Sequence, residues 1–133
     1  MTHAQVQDWL DRYVAAWQSF DESAIRDLFS TDAEYRYHPW DEPVRGIDAI
    51  VADWLNPGGK PESRDKPGTW WAHYEPAVVE GSKAIVVGET KYFADASQAV
   101  LERHYYNIWP IEFDADGRCR SFTEYFMLRK QAS

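Results

Sequence analysis

The spacing of apolar residues changes once along the chain, and that change limits the folds that are possible. Helical spacing dominates the first 55 residues, whereas from Thr69 onward apolar and polar residues alternate as they do in β-strands. Helices and strands grouped in separate blocks are typical of an α+β domain, in which the helices pack on one face of a sheet. The clearest helical stripe, at i, i+3, i+4, i+7, i+8 and i+11, consists of Val6, Trp9, Leu10, Tyr13, Val14 and Trp17.

The first block of sequence contains a strand as well as helices. Either Asp21 or Ser23 can cap a short second helix, because both side chains can accept a hydrogen bond from a free backbone N–H. Pro39 and a turn at residues 41–43 end the strand. The predicted elements are a helix over Val6–Trp17, a short helix over Ala24–Phe29, a strand over Ala33–Trp40 and a third helix over Gly46–Leu55.

A loop separates this block from the strands. Residues 56–68 (NPGGKPESRDKPG) contain three prolines, three glycines and five charged residues, with no large apolar side chain, so they predict an exposed loop. The loop is too short to separate two domains, and residues 1–133 are therefore predicted to form a single domain. Four long antiparallel strands follow, over Thr69–Val79, Lys83–Phe93, Val100–Phe113 and Arg118–Arg129.

Charge and cysteine content exclude several classes of function. The chain has 22 acidic and 14 basic residues, a formal net charge of −8, and its basic residues are not clustered, which disfavours binding to nucleic acid. No apolar run approaches the roughly 18 residues of a membrane-spanning helix, and the first residues do not resemble a signal peptide. Cys119 is the only cysteine, so no intrachain disulfide can form, and we expect a cytoplasmic protein.

Aromatic residues are abundant enough to line a pocket as well as to build a core. The chain has seven Trp, eight Tyr and six Phe, and buried rings that carry N–H or O–H groups need partners. Alternation along the strand Val100–Phe113 places Arg103, Tyr105, Asn107 and Trp109 on one face, which we take as the inner face. Glu124 is the expected partner of Arg103 or Asn107. Such a pair can be structural, or it can contact a polar ligand.

Two side chains are candidates for acid–base or oxyanion chemistry. His38 has an imidazole that can act as a general base near neutral pH, or it can be a structural histidine at a strand end. Alternation puts Tyr35 and Tyr37 on one face and His38 on the other, unless Pro39 introduces a bulge. Tyr13 lies on the apolar stripe, where its hydroxyl can stabilise an oxyanion or can bond to a strand carbonyl or another tyrosine.

Motifs for metals and cofactors are not found. No two histidines have metal-ligand spacing, and there is no Cys-x-x-Cys, glycine-rich dinucleotide motif, phosphate loop or Gly-x-Ser-x-Gly. The sequence therefore predicts neither a metal site nor a cofactor.

Three stretches carry a resemblance to a known family: RYVAAWQSFDESAIRDLFSTDAEY, HPWDEPVRGIDAI and EFDADGRCRSFTEYF. Together with the order of elements, they resemble the nuclear transport factor 2-like superfamily, in its SnoaL-like and ketosteroid-isomerase-like branch. The resemblance implies a cone-shaped α+β fold, with a curved antiparallel sheet packed on three N-terminal helices and a pocket at the wide end. It also implies a homodimer paired through the outer face of the sheet. Members of this superfamily differ in function, so the resemblance is specific for the fold rather than for an activity.

Site residues follow from the resemblance position by position. The oxyanion-holding tyrosine of the isomerases falls on Tyr13, and the position of their catalytic carboxylate before a proline is occupied by His38. A second donor, a carboxylic acid on the penultimate strand, is replaced by Trp109, which removes the feature most characteristic of steroid isomerases. In this arrangement His38 is the base, Tyr13 is the oxyanion donor, and Asn107 or Glu124 orients the ligand. The predicted pocket walls are Trp17, Tyr37, Trp40, Trp54, Tyr105 and Trp109.

The predicted ligand is a small organic molecule that is mostly apolar. Its chemistry would be cofactor-free acid–base catalysis of the isomerase, cyclase, dehydratase or epoxide-hydrolase type. The alternative is a dimeric protein that binds a small ligand, or acts as an accessory protein, without catalysis.

Overall fold

The long first helix is fixed by its apolar stripe and by a cap at each end. In the computed structural model, which describes residues 1–130, α1 spans His3–Ser19. Thr2 and Gln5 form a capping box, since the side chain of each accepts a hydrogen bond from the backbone N–H of the other. Phe20, with a φ of 50°, ends the helix in the left-handed conformation. The residues that α1 buries are Val6, Trp9, Leu10, Tyr13 and Ala16.

Two shorter helices flank the first strand. α2 spans Glu22–Arg26 and is capped by Asp21, whose carboxylate accepts from the Ala24 N–H at 2.9 Å, so Asp21 rather than Ser23 is the cap. α3 spans Ile47–Leu55, and the residues it buries are Ile50, Val51 and Trp54. The chain thus has the three predicted helices. None of the described helices is long and apolar enough to cross a membrane.

A seven-stranded curved sheet forms the other layer, in the order β2-β1-β6-β5-β4-β3, with β7 also paired to β5. Its strands are β1 (Phe29–Arg36), β2 (Val44–Arg45), β3 (Trp70–Glu80), β4 (Lys83–Phe93), β5 (Leu101–Phe113), β6 (Cys119–Thr123) and β7 (Tyr125–Leu128). The α+β cone predicted from the sequence is confirmed. The sheet is mixed rather than wholly antiparallel, because β1 and β6 run parallel.

The last predicted strand is interrupted at Glu124. β6 pairs with the end of β5 through Ile111 and Phe122, and β7 pairs with its middle through Ile108 and Tyr125. Both pairings have the same register, which puts Glu124 directly opposite Trp109 on β5. The Glu124 backbone N–H bonds to the carbonyl of Arg36 at 2.9 Å, so the interruption in the strand is stabilised by β1.

A glycine on β4 lets an aromatic ring lie flat against the inner face of the sheet. Gly88 is the cross-strand partner of Tyr74 on β3, and a Cβ at this position would overlap the Tyr74 ring and the His73 carbonyl. The Tyr74 ring stacks on Trp109 of β5, with ring centroids 3.7 Å apart and an angle of 14° between the planes. Gly88 therefore determines where the Tyr74 ring and its hydroxyl can lie.

We predict that Gly88→Ala lowers the free energy of unfolding by about 2–3 kcal/mol, because the added methyl group displaces the Tyr74 ring. The control is Gly81→Ala, since Gly81 has a positive φ of 58° but a methyl group added there would meet no atom within 4 Å. Its cost is expected to be about 1 kcal/mol, which is the backbone penalty alone. Urea denaturation measures both values, and equal costs for the two variants would contradict the packing described for Tyr74.

Candidate functional site

A cavity of about 350 Å³ lies between α1, the concave face of the sheet and the loop at residues 56–68. Its size is within the range of small-molecule sites. Eleven of its nineteen lining residues are aromatic, so most of its wall consists of rings, several of which carry a hydroxyl or indole N–H group. These aromatic residues are Tyr13, Trp17, Phe20, Tyr35, Tyr37, Trp54, Tyr74, Tyr92, Tyr105, Trp109 and Phe126.

Most of the residues singled out from the sequence line this cavity. Both the helical stripe and the inner face of β5 contribute, as the periodicity predicts. The predicted residues in the lining are Tyr13, Trp17, Tyr37, Trp54, Tyr105, Asn107, Trp109 and Glu124. Two predicted residues, His38 and Trp40, are not part of it.

His38 and Trp40 lie beyond the end of β1 at Arg36, and neither lines the cavity. The His38 Nδ1 bonds to the Asp41 carboxylate at 2.8 Å, and its ring stacks on Trp40 with centroids 4.9 Å apart. The Trp40 side chain is 79% exposed. The other edge of His38 meets the ring of Phe126, a lining residue, at 5.4 Å. This placement departs from the expectation that His38 and Trp40 face the ligand, and it agrees with the strand alternation.

The hydroxyl of Tyr13 has a tyrosine partner. Tyr13 and Tyr35 are 6% and 4% exposed, and their hydroxyl oxygens are 2.7 Å apart. Burial raises the pKa of each phenol well above its ordinary value, so both remain neutral at physiological pH. The hydrogen bond to another tyrosine, which the sequence analysis gave as one role for the Tyr13 hydroxyl, is therefore present in the structure. Its ring still forms part of the cavity wall.

A tyrosine–carboxylate pair lies on the α3 side of the cavity. The Tyr37 hydroxyl donates a short hydrogen bond to the carboxylate of Asp53, and both residues line the cavity. Burial, followed by the bond to Asp53, raises the pKa of Tyr37. Alternation places Tyr35 and Tyr37 on the inner face, but the contribution of Asp53 depends on how α3 packs and was not predicted.

A chain of polar groups crosses the inner face of the sheet from β3 and β4, over β5, to Glu124 between β6 and β7. The hydroxyls of Tyr74 and Thr90 are 2.7 Å apart, and the Asn107 Nδ2 donates to the Tyr74 oxygen at 2.7 Å. The same Nδ2 also lies 3.4 Å from Oε1 of Glu124. Of the two predicted partners of Glu124, Asn107 rather than Arg103 forms the hydrogen bond. Tyr74 could have been found from the same alternation, since it shares a face with the buried Trp70.

Glu124 is a carboxyl group of the cavity lining whose pKa is raised to near neutrality. Burial raises its pKa to about 7, and the Trp109 indole and the more distant His38 lower it by less. No cation lies within ion-pair distance of its carboxylate among residues 1–130. Since the pKa is close to neutral, Glu124 can both donate and accept a proton at physiological pH.

Two buried polar atoms flank this carboxyl group without a hydrogen-bond partner. They are Oδ1 of Asn107 and Nε1 of Trp109, and within the described part of the chain no other buried side-chain nitrogen or oxygen lacks a partner. The Trp109 N–H lies near enough to Glu124 to lower its pKa, but its geometry does not form a hydrogen bond. The deep part of the cavity is therefore polar and incompletely satisfied.

The mouth of the cavity is closed in part by the loop at residues 56–68. The Trp17 indole N–H donates to Asp65 of this loop at 2.9 Å, and burial raises the pKa of that carboxyl group. Arg103 lies over the ring of Tyr92, 4.4 Å from its centroid, and bonds to the Tyr105 hydroxyl at 3.3 Å. The loop composition predicts exposure but contains no signal that Asp65 would bind back onto α1.

Comparison with known proteins identifies a family to which this arrangement is similar. Residues 2–75, more than half of the chain, match the family model described as a SnoaL-like domain. This region contains the three helices, β1 and β2, the loop and the first part of β3. No curated protein sequence matches the chain.

Solved structures show the same fold at low sequence identity. An NTF-2 like protein of unknown function from Burkholderia xenovorans LB400 is 20% identical, with a TM-score of 0.68 over 98% of this chain and 88% of its own. A protein from Kribbella flavida DSM 17836, named provisionally as a ketosteroid isomerase, is 14% identical (TM-score 0.65; 98% and 84%). An LEH-like epoxide hydrolase from M. tuberculosis is 13% identical (TM-score 0.63; 94% and 84%). At these identities the likeness establishes the fold alone.

We predict that Glu124→Gln stabilises the protein at pH 8 and leaves its stability almost unchanged at pH 4. The folded pKa of about 7 is above the ordinary value of 4.5, so the folded state holds more protons between these values and loses stability as pH rises through them. The expected gain at pH 8 is about 1–3 kcal/mol. Chemical denaturation of both proteins between pH 4 and 8 measures the difference.

The matched control is Glu62→Gln, which removes an exposed carboxylate from the loop. Its effect on stability should not depend on pH in this way. A Glu124→Gln difference that stays flat between pH 4 and 8 would show that burial does not raise the pKa of Glu124.

Proposed function

The chain belongs to the SnoaL-like domain family, and we propose that it binds a small, mostly apolar organic molecule and catalyses a cofactor-free proton transfer on it. The observation that carries the proposal is Glu124, a carboxyl group in an aromatic cavity with a pKa of about 7. A general acid–base group is most effective when its pKa is near the working pH. The reaction class is isomerisation, cyclisation, dehydration or epoxide opening.

In this proposal the acid–base role passes from His38 to Glu124. The Nδ1 of His38 is bonded to Asp41, and His38 is not among the residues that line the cavity. Glu124 lines the cavity and is next to two unsatisfied polar atoms. His38 acts on the site at a distance, because its charge lowers the pKa of Glu124.

Tyr13 remains the proposed oxyanion donor, in combination with Tyr35. Two hydroxyls at 2.7 Å share one hydrogen bond, so the proton that is not used between them is available to a ligand oxygen. Both phenols keep their protons because burial raises their pKa. A neutral donor that is already held by its neighbours stabilises a developing negative charge with little reorganisation.

A binding protein without catalysis is the second candidate, and a specific observation favours it. The hydroxyl pairs Tyr13–Tyr35 and Tyr74–Thr90 are each satisfied within the protein. A cavity whose hydroxyls bond to one another can hold an apolar ligand without chemistry. Support from the structural neighbours is equally divided, since one is named for isomerisation, one for epoxide hydrolysis and one has no known function.

The test begins with a thermal-shift screen of small ketones, epoxides and steroids, followed by turnover assays of each compound that stabilises the protein. We expect Glu124→Gln to lower turnover at least 100-fold while the thermal shift by ligand is retained. The turnover of the wild-type protein should follow a single ionisation near pH 7.

The matched control is His38→Ala, which should change turnover by less than about tenfold, as it removes only a distant charge. A comparable loss in both variants would restore the histidine mechanism. Ligands that bind but are not converted by the wild-type protein would favour the binding function instead.

We also propose that the chain forms a homodimer through the outer face of the sheet. Six apolar side chains on this face are between 41% and 70% exposed, and monomers rarely expose a continuous patch of this kind. They are Val78, Ile85, Tyr106, Ile108, Tyr125 and Met127. Cytoplasmic location, inferred from the single cysteine, stays a prediction.

We predict that Ile108→Glu converts the dimer to a monomer, because a carboxylate in the centre of the patch cannot be buried without a partner. Light scattering after size exclusion should give twice the chain mass of 15.5 kDa for the wild-type protein and the single mass for the variant. Val100→Glu, at an exposed position before β5, should stay dimeric. A monomeric wild-type protein would contradict the proposal.

A further inference from the structure

Two unpartnered atoms beside Glu124 lead to a more specific statement about the ligand. We propose that Asn107 and Trp109 form a subsite that binds a hydroxyl group, so that the ligand is an apolar alcohol. The inference rests on the proposed function, because it names the chemical class of the molecule that the same cavity takes.

The two atoms are exceptional within the described part of the chain. Asn107 is 7% exposed and Trp109 is 2% exposed, and both residues line the cavity. Their Oδ1 and Nε1 are the only buried side-chain nitrogen or oxygen atoms of residues 1–130 without a hydrogen-bond partner. Buried polar atoms without a protein partner are rare, because each one needs a hydrogen bond from another group to offset its burial. A ligand group that bonds to both removes this deficit.

The backbone brings the two side chains together. Asn107 and Trp109 are two residues apart on β5, so they share the inner face and are about 7 Å apart along the strand. Both residues line the cavity, and our proposal puts one ligand oxygen between the two side chains, within hydrogen-bond distance of both atoms. Tyr74 fixes both groups, since its hydroxyl accepts from Asn107 at 2.7 Å and its ring stacks on Trp109 at 3.7 Å.

The chemistry of the two atoms selects a hydroxyl group. The Asn107 Nδ2 already donates to the Tyr74 hydroxyl and to Glu124, so Oδ1, which can only accept, is the end that needs a donor. The Trp109 N–H can only donate and needs an acceptor. A hydroxyl group donates to Oδ1 and accepts from Nε1 at the same time. A ketone or ether can only accept, an ammonium group can only donate, and a hydrocarbon does neither.

The position of the subsite connects it to the proposed acid–base group. Glu124 is opposite Trp109 in the strand register and 3.4 Å from the Asn107 Nδ2. A hydroxyl group bound between Asn107 and Trp109 is therefore next to the carboxyl group of Glu124. In the dehydration class of the proposed reactions, the acid form of Glu124 would protonate the hydroxyl so that the C–O bond breaks and water leaves, and the resulting carboxylate would take a proton from the adjacent carbon as the C=C bond forms.

Four bicyclic probes of similar shape separate these possibilities: 1-tetralol, 1-tetralone, 1-aminotetralin and tetralin. Binding is measured by calorimetry on the wild-type protein and on Trp109→Phe, Asn107→Leu and Trp71→Phe. We expect the wild-type protein to bind 1-tetralol about 30-fold more tightly than tetralin, from two added hydrogen bonds. Trp109→Phe and Asn107→Leu should each reduce this ratio to about fivefold, and tetralin should still bind.

Trp71→Phe is the matched control, because Trp71 is 42% exposed and is not part of the cavity lining. It should keep the 30-fold ratio. The comparison of the four probes on the wild-type protein needs no variant, and circular dichroism verifies the fold of each substituted protein.

Equal binding of 1-tetralol and tetralin would overturn the hydroxyl subsite and leave the apolar cavity of the proposed function in place. Tightest binding of 1-tetralone or 1-aminotetralin would also overturn it, and would indicate a group that only accepts or only donates. If Trp109→Phe and Asn107→Leu both kept the 30-fold preference for 1-tetralol over tetralin, neither residue would be responsible for that preference. If none of the four probes binds at millimolar concentration, both this inference and the proposed ligand class are wrong.

Discussion

The stack of Tyr74 on Trp109 is the contact on which the cavity depends, because it joins β3 to β5 across the intervening strand. Gly88 on β4 makes the stack possible, since any side chain at that position would occupy the place of the Tyr74 ring. Once the ring is flat against the sheet, its hydroxyl reaches Thr90 and Asn107, both at 2.7 Å. The orientation of Asn107, and with it the environment of Glu124, follows from this packing rather than from any local preference.

Much of this arrangement can be predicted from the sequence where strands are long and regular. Alternation over β5 places Tyr105, Asn107 and Trp109 on the inner face, because thirteen consecutive residues keep one period. The resemblance places His38 in the cavity, whereas alternation with Tyr37 places it on the other face, and His38 is not among the lining residues. Asp65 is beyond sequence reasoning, since its bond to Trp17 joins a loop to a helix 48 residues away.

The burial of Glu124 has opposite effects on stability and on chemistry. Burial among aromatic rings, with no cation within ion-pair distance of Glu124 among residues 1–130, favours the neutral acid, so the folded state loses stability when this group ionises. The same displacement of the pKa puts the group where proton exchange with a ligand is most favourable. Natural proteins often retain a functional group that lowers the stability of the folded state, because the rest of the structure is stable enough to hold it in place. Here the Asn107 amide and the bond from the Glu124 backbone to Arg36 hold the residue in place.

In the proposed site, the cavity keeps a carboxyl group although Trp109 stands where the resemblance to the isomerases implies an acid, because Glu124 also lines the cavity. The resemblance to the steroid isomerases places their second carboxylic acid at the position of Trp109, and this chain has an indole there. The register of β6 and β7 against β5 puts Glu124 directly across from that position, one strand away. The carboxyl group is thus retained within the same part of the cavity, while the indole adds an N–H donor beside it. A carboxyl group beside a fixed N–H donor can recognise the oxygen of a hydroxyl group rather than that of a ketone. The same fold therefore need not imply the same substrate.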